Sequence, residues 1–449
     1  MQEEIKTINY LGSKFRILHE IEEAINELST TGAICDLFAG SGTVSSYFAS
    51  KRKVVSVDIQ EYSRVLCSAV LNKVDIKKEP DSVIDICTKS YINQKLEDIY
   101  RELINYEQEC IDSAINGKPE ELSDFLENVS VYAMEKKSAN SCLDSKLRLK
   151  LEKVISETKK NDMTHNSIVA RYFGGIYFSF EQSIQIDAIM NWITQNTIGK
   201  EKDKFVAAVV SATSEIVNTI GKQFAQPINP RNTEGKIKKN IGIRIQKDRK
   251  LEFFLFFKKW LQIYAQMGSE ENIIICSDYK EALARLPEDV SVVYADPPYT
   301  RYHYSRYYHV LETICLYDEP EVSNVKVGND IKISRGMYRS ERHQSPFCIK
   351  SQAKKAFEEL IESVAKKKVK LVLSYSPYEK TSGSTPRLME INEIMEIANK
   401  YYKNVFIKEI NDIVHSKLNK VEKNYEIKCP AEVLIMCSWE EANEGKFNN

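Results

Sequence analysis

At 449 residues the chain is long enough for a catalytic core plus one large or two small further modules, so a single compact domain is not expected. Lys and Arg number 63 against 64 Asp and Glu, a formal charge of -1, which excludes a globally basic nucleic-acid coat and confines any such face to a local patch. The ten cysteines are scattered without a Cys-x-x-Cys pair, His303 and His309 fall on different helical faces, and no apolar run is long enough to span a bilayer, so disulfide, metal and membrane roles are not favoured.

The start, MQEEIKTINY, lacks a basic segment followed by an apolar one, which points to a reducing cytoplasm. The spacing then predicts a helix from Lys14 to Leu28, a strand in AICDLF, a glycine turn, a helix, and a strand VVSVD ending at Asp58. This alternation is a Rossmann-like α/β opening over residues 1–75. From about 80 to 165 the texture turns to charge-dense helix. Leu96, Ile99, Leu103 and Cys110 line one face before Gly117 and Pro119 stop it, and LRLKLEKVI repeats the pattern, as packing between helices requires. Ser179 and Gln182 have capping-box spacing for a helix to about 195, and a second helix is expected over 203–222. QFAQPINPRNTEGKIKKNIGIRIQKDRK reads as a loop rich in Pro, Gly, Lys and Arg ahead of the apolar LEFFLFFKKWLQIY. Residues 76–270 are thus expected to be a largely helical insertion. The α/β texture resumes over 271–440 with NIIICSDYKEAL, SVVYADPPY and VKLVLSYSPY, closes in a hairpin of VFIKEI and EVLIMCS, and frays from about 440.

Asp296-Pro297-Pro298-Tyr299, directly after the strand-like SVVYA, has the composition of a device for holding an exocyclic amine. The amino nitrogen of adenine or cytosine delocalises its lone pair into the ring, so a methylating enzyme must draw that pair outward. The Asp296 carboxylate and the Pro297 carbonyl could each accept one N–H, while the two prolines fix φ and hold the turn rigid. Tyr299 offers a flat face for a base turned out of a duplex. The competing reading is an ordinary Asp-Pro turn after a strand.

Phe38-Ala39-Gly40-Ser41-Gly42 follows a strand and opens a helix, which suits close approach of a small ligand to backbone N–H groups. A dinucleotide fingerprint would need a third glycine where Ser45 stands, so a nicotinamide cofactor is not favoured. Asp58, at the next strand end, is placed to receive two ribose hydroxyls. S-adenosylmethionine, a nucleoside without phosphates, fits this layout.

Tyr10-Leu11-Gly12-Ser13-Lys14, DLFAGSG, the strand-end Asp58 and DPPY, in that linear order, resemble the Dam-like adenine-N6 DNA methyltransferases. TRYHYSRYYHVLET resembles a branch of larger bacterial adenine-specific methylases. The likeness covers residues 8–72 and 273–315 and, more loosely, 370–437. It implies a Rossmann-like S-adenosylmethionine-dependent core with a helical recognition region, methylating adenine N6 at specific sites in double-stranded DNA, in a restriction-modification or related defence setting where a cognate restriction endonuclease or a defence-system protein is a candidate partner. Carried over by position, Lys14 would pair with the cofactor's methionine carboxylate, and Asp36 would bind its amino group or order the glycine loop. Asp58 would take the ribose, Asp278 the adenine amine, and Asp296 would face both cofactor and target. Tyr10, Phe38, Ala39, Gly40, Gly42 and Ile59 complete the implied cofactor set. This chain departs from the family in having Tyr10 and Gly12-Ser13 where a Trp or similar group and two glycines usually stand.

Carbon-5 cytosine methylation needs a cysteine nucleophile after a proline, and the chain has no Pro-Cys step. Cytosine N4 stays open, because its amine fits the same two acceptors. An RNA base-amine methyltransferase and a non-catalytic methyltransferase-fold subunit are further alternatives. Two segments are candidates for a DNA face: Arg231 to Lys250, with Lys236, Lys238, Lys239 and Arg244, and Lys326 to Lys350, with Arg335, Arg339, Arg342 and His343 among the aromatics Tyr338 and Phe347. Arg301 and Arg306 are expected at the phosphates around the flipped base. A solvated charged loop is the competing reading of each.

Overall fold

AICDL and VVSVD are short apolar runs bounded by turn residues, the pattern of strands covered on both faces. In the computed structural model they become β1 (Ala33–Leu37) and β2 (Val54–Asp58), buried along almost their whole length. The structure describes residues 6–10, 12–138, 143–269, 271–299, 303–328, 330–376, 387–410 and 432–439. Two compact units form, one from Met1–Lys73, Met267–Ser305 and His343–Asn449, the other from Val74–Gln266 and Arg306–Arg342.

The first unit is a Rossmann-like α/β core. Its strands continue with β3 (Ile273–Cys276) and β4 (Val290–Ala295); the short β5 (Asn324–Val327) and β6 (Asp330–Ile333) form a separate antiparallel ribbon in the other unit; β7 (Lys370–Tyr375), β8 (Asn404–Ile410) and β9 (Glu432–Ser438) then complete the core sheet. The order across the sheet is β3-β2-β1-β4-β7-β9-β8, parallel as far as β7, with β9 antiparallel to both β7 and β8. Strand order reverses between β1 and β4, so the loops leaving their carboxyl ends open onto one crevice. Asp36 pairs with Tyr294 and Leu37 with Ala295, which sets the glycine turn and the DPPY turn side by side although about 255 residues separate them. The expected terminal hairpin is β8–β9. The expected first helix begins as a 3-10 turn, Lys14–Ile17, before the α-helix Leu18–Leu28.

The second unit is mostly helical. Leu96, Ile99, Leu103 and Cys110 are buried along the helix Tyr91–Ile115, as the stripe predicts. Helix Phe180–Asn196 opens with a complete capping box, in which the Gln182 N–H donates to Ser179 Oγ and the Ser179 N–H to Gln182 Oε1, each at 3.0 Å. The next helix runs Gly199–Ile216, earlier at both ends than expected. Residues 223–250, expected as loop throughout, contain the helix Ile241–Arg249, because Ile241 and Ile245 bury one side and outweigh the surrounding charge. Residues 306–342 join this unit although the flanking strands belong to the core. Helix His309–Leu316 is largely buried here, and Tyr317 donates to Asp187 at 2.9 Å.

Candidate active site

β1 ends in a turn whose conformation only glycine accepts easily. Gly40 has φ 56°, and a Cβ built there would lie 2.5 Å from the Tyr10 hydroxyl, so Tyr10 packs flat on the turn because the side chain is missing. Phe38 is itself left-handed, with φ 72°, a costly backbone state for a bulky residue that turns its ring toward Tyr279 and Phe347. The buried Asp36 carboxylate accepts the Ser45 N–H at 2.9 Å and its hydroxyl at 2.6 Å, both on Oδ2, which ties it to the first turn of the following helix. Burial pushes the Asp36 carboxyl up to about 6 against those two bonds.

Asp58 is held by the Gly40 N–H on one oxygen and the Gln60 N–H on the other, both at 2.9 Å. Asp58 also lines the cleft, and a carboxylate can accept several hydrogen bonds at once, as a vicinal diol requires. Burial raises the proton affinity of Asp58 and the backbone donors oppose it. Asp278 caps helix Tyr279–Ala284, taking the Lys280 N–H on Oδ1 at 3.0 Å and leaving Oδ2 for a ligand.

From β4 the chain enters DPPY, tethered by the Asp296 N–H to the Leu37 carbonyl at 3.4 Å. The Asp296 carboxylate meets the Lys14 ammonium at 3.1 Å. Lys14 also meets Glu432, at the start of β9, at 3.1 Å, and Ser374 on β7 donates to that same Glu432 oxygen at 2.9 Å. The Lys14 and Glu432 side chains are 8% exposed and Asp296 is 22% exposed, so Asp296 is the most open of the three. One cation between two carboxylates leaves a net negative charge. Burial pushes the Asp296 carboxyl up to about 7, with Lys14 opposing and Glu432 adding to the rise. Burial works against the Lys14 charge, yet Asp296 and Glu432 outweigh it and hold the ammonium protonated. Tyr299 packs on Tyr375, centroids 4.9 Å apart, beneath the Arg387 guanidinium at 5.0 Å.

These pieces line one cleft of about 1030 Å³, counted out to bulk solvent. Its walls include Tyr10, Lys14, Asp36, Phe38, Ala39, Asp58, Ile59, Asp278, Asp296 and Pro298. Gly40 and Gly42 shape the turn from behind. The volume, the acid-rich lining and the aromatic group of Phe38, Tyr279 and Phe347 fit a cationic nucleoside, which is the chemistry of S-adenosylmethionine.

His343, expected among the DNA contacts, lines this cleft too. Burial lowers its proton affinity while Asp278 and Asp58 pull the other way. Ser305 holds the His343 carbonyl at 2.7 Å. Sequence reading missed His343 and Tyr304 as cleft residues, and Glu432, Ser374 and Arg387 as the residues that pack behind Lys14 and Tyr299. Tyr304 sat inside the quoted TRYHYSRYYHVLET, but Glu432 and Ser374 carried no local signal.

The other basic residues fall into distinct groups. Arg335 donates to the Leu126 and Ile228 carbonyls at 2.8 and 2.5 Å, and Arg339 makes a two-pronged pair with Asp318 at 2.6 and 2.7 Å. Lys236 pairs with Glu234 at 3.1 Å, and Lys238 donates to the Asn229 carbonyl at 2.5 Å. Arg306 and Arg342 instead flank the Tyr338 ring, 4.7 and 5.7 Å from its centroid, with no carboxylate partner among the described residues. Lys239 and Arg244 likewise have none. Arg301 lies outside the described residues.

A Rossmann-like sheet whose crevice joins a glycine turn, a strand-end acid and a DPPY turn is the architecture of a methyltransferase core. The chain belongs to the D12 class N6 adenine-specific DNA methyltransferase family, whose pattern it matches over residues 10–175 and 232–374. It is 22% identical over 413 residues to modification methylase LlaI of Lactococcus lactis subsp. lactis, covering 88% of this chain and 49% of that protein. It is also 22% identical over 407 residues to type II methyltransferase M.NlaIII of Neisseria lactamica, covering 88% of this chain and 89% of that one. Type II methyltransferase M.FokI of Planomicrobium okeanokoites is 23% identical over 367 residues, with 79% and 42% covered. The chain thus spans about half the length of LlaI and most of M.NlaIII.

Proposed function

We propose that the chain transfers a methyl group from S-adenosylmethionine to the N6 amine of adenine in double-stranded DNA, at a specific site and in a restriction-modification or related defence setting. The observation that carries this reading is the single cleft in which Asp58 and Asp278 share walls with Asp296 and Pro298. Its nucleoside-accepting carboxylates and its amine-accepting turn open into the same space.

The cofactor supplies an electrophilic methyl on a positively charged sulfur. Asp58 accepts the ribose hydroxyls, Asp278 Oδ2 the adenine amine, and the Phe38, Tyr279 and Phe347 rings shield the base. Acid-rich walls favour a cation. Asp296 and the Pro297 carbonyl accept the two N–H bonds of the target amine and aim its lone pair, an interaction that strengthens as the nitrogen becomes tetrahedral. Tyr299, braced by Tyr375 and Arg387, backs the turn. Arg306, Arg342, Lys239 and Arg244, which have no carboxylate partner among the described residues, neutralise phosphates.

Incubating the purified chain with duplex DNA and methyl-labelled S-adenosylmethionine tests the chemistry. Label recovered as N6-methyladenine is expected. Label in cytosine, or in RNA only, would overturn the assignment.

A further inference from the structure

Glu432 belongs to none of the motifs, yet it completes the charge arrangement at the reacting end of the cleft. Lys14 Nζ lies 3.1 Å from Asp296 and 3.1 Å from Glu432, and Ser374 fixes Glu432 from β7 at 2.9 Å. We propose that Glu432 is a positioning residue for the reaction: it holds the Lys14 ammonium between two carboxylates, so that Asp296 meets the amine as a base rather than as half of a closed ion pair. This inference rests on the reading that Asp296 accepts the target amine.

The proton balance of the reaction gives such a residue work to do. The amine's electron pair forms the new N–C bond as the methyl's bond to sulfur breaks, that bonding pair remaining on sulfur. The nitrogen is left with one proton too many, which passes to an Asp296 oxygen and then to solvent. A carboxylate clamped alone against a buried ammonium is a poor acceptor, because its charge is already compensated and its lone pairs occupied. A second carboxylate on the same ammonium divides that compensation. The other groups interacting with Asp296 are Asp36 from β1, Tyr294 from β4 and Tyr299 from the turn, and Lys14 is the cation among them. Burial and Glu432 together put the Asp296 carboxyl at about 7, near the pH at which the enzyme would work.

The test is the pH profile of kcat/KM for DNA methylation by the full chain. The wild type should rise with pH to a plateau, with a midpoint near 7 if Asp296 must be ionised. Glu432→Gln keeps the shape and removes the charge, so its midpoint should move down by about one pH unit and its plateau should fall about tenfold. Ser374→Ala, which loosens Glu432 without touching either charge partner, should move the midpoint the same way by less. An unshifted midpoint in Glu432→Gln, or an upward shift, overturns the proposal. Should that variant not fold, an unshifted midpoint in Ser374→Ala overturns it instead. Asp296→Ala separates the two levels of argument: full activity there removes the underlying reading, whereas inactivity there beside an unshifted Glu432→Gln removes this inference alone.

Discussion

Asp58 illustrates how a residue can be structural and still free for function. Its two backbone donors lock the carboxylate against the glycine turn, and the residue still lines the cleft. Asp58→Ala should weaken S-adenosylmethionine binding by about 2 to 3 kcal/mol, the cost typical of losing hydrogen bonds to a charged acceptor, measurable by calorimetry. Unchanged affinity would remove Asp58 from the site. Asp36 lines the same cleft, and Ser45 takes only its Oδ2, through both its N–H and its hydroxyl. The two strand acids were equally visible in the sequence. Their partners were not visible: Ser45, in the first turn of the following helix, anchors Asp36, whereas the glycine-turn backbone anchors Asp58.

At the scale of elements, local chemistry proved legible and long-range pairing did not. The glycine turn, the strand-end acid, DPPY and the Ser179 capping box each lie within a few residues, so spacing alone defines them. Glu432 and Ser374 meet because antiparallel β9 lies beside β7, a register no local pattern announces. Arg335 and Arg339 looked like free cations because the carbonyls and the Asp318 that hold them become neighbours only on folding. The helical unit contains a similar hidden pairing: the Arg249 and Glu107 side chains are 3% and 4% exposed and form an ion pair, with Arg249 also donating to the Gly175 carbonyl at 2.7 Å. Glu107→Ala strands a buried guanidinium and should cost about 3 to 5 kcal/mol in urea unfolding. A loss below about 1 kcal/mol would show that the pair does not hold these helices together.

In the whole molecule the core unit holds the cleft, and the helical unit carries Arg306 and Arg342, which have no carboxylate partner among the described residues. Replacing both with Ala should weaken duplex binding about equally across sequences and flatten the slope of log K against log salt by about 1 to 2, leaving S-adenosylmethionine affinity intact. Unaltered DNA affinity would move the phosphate contacts elsewhere. Base-resolved modification sequencing of DNA from cells expressing either the wild-type chain or Asp296→Ala tests the central claim most directly. The account predicts N6-methyladenine at one recurring short sequence in the first and its loss in the second. A mark on cytosine, no mark at all, or the same adenine mark in both would contradict it.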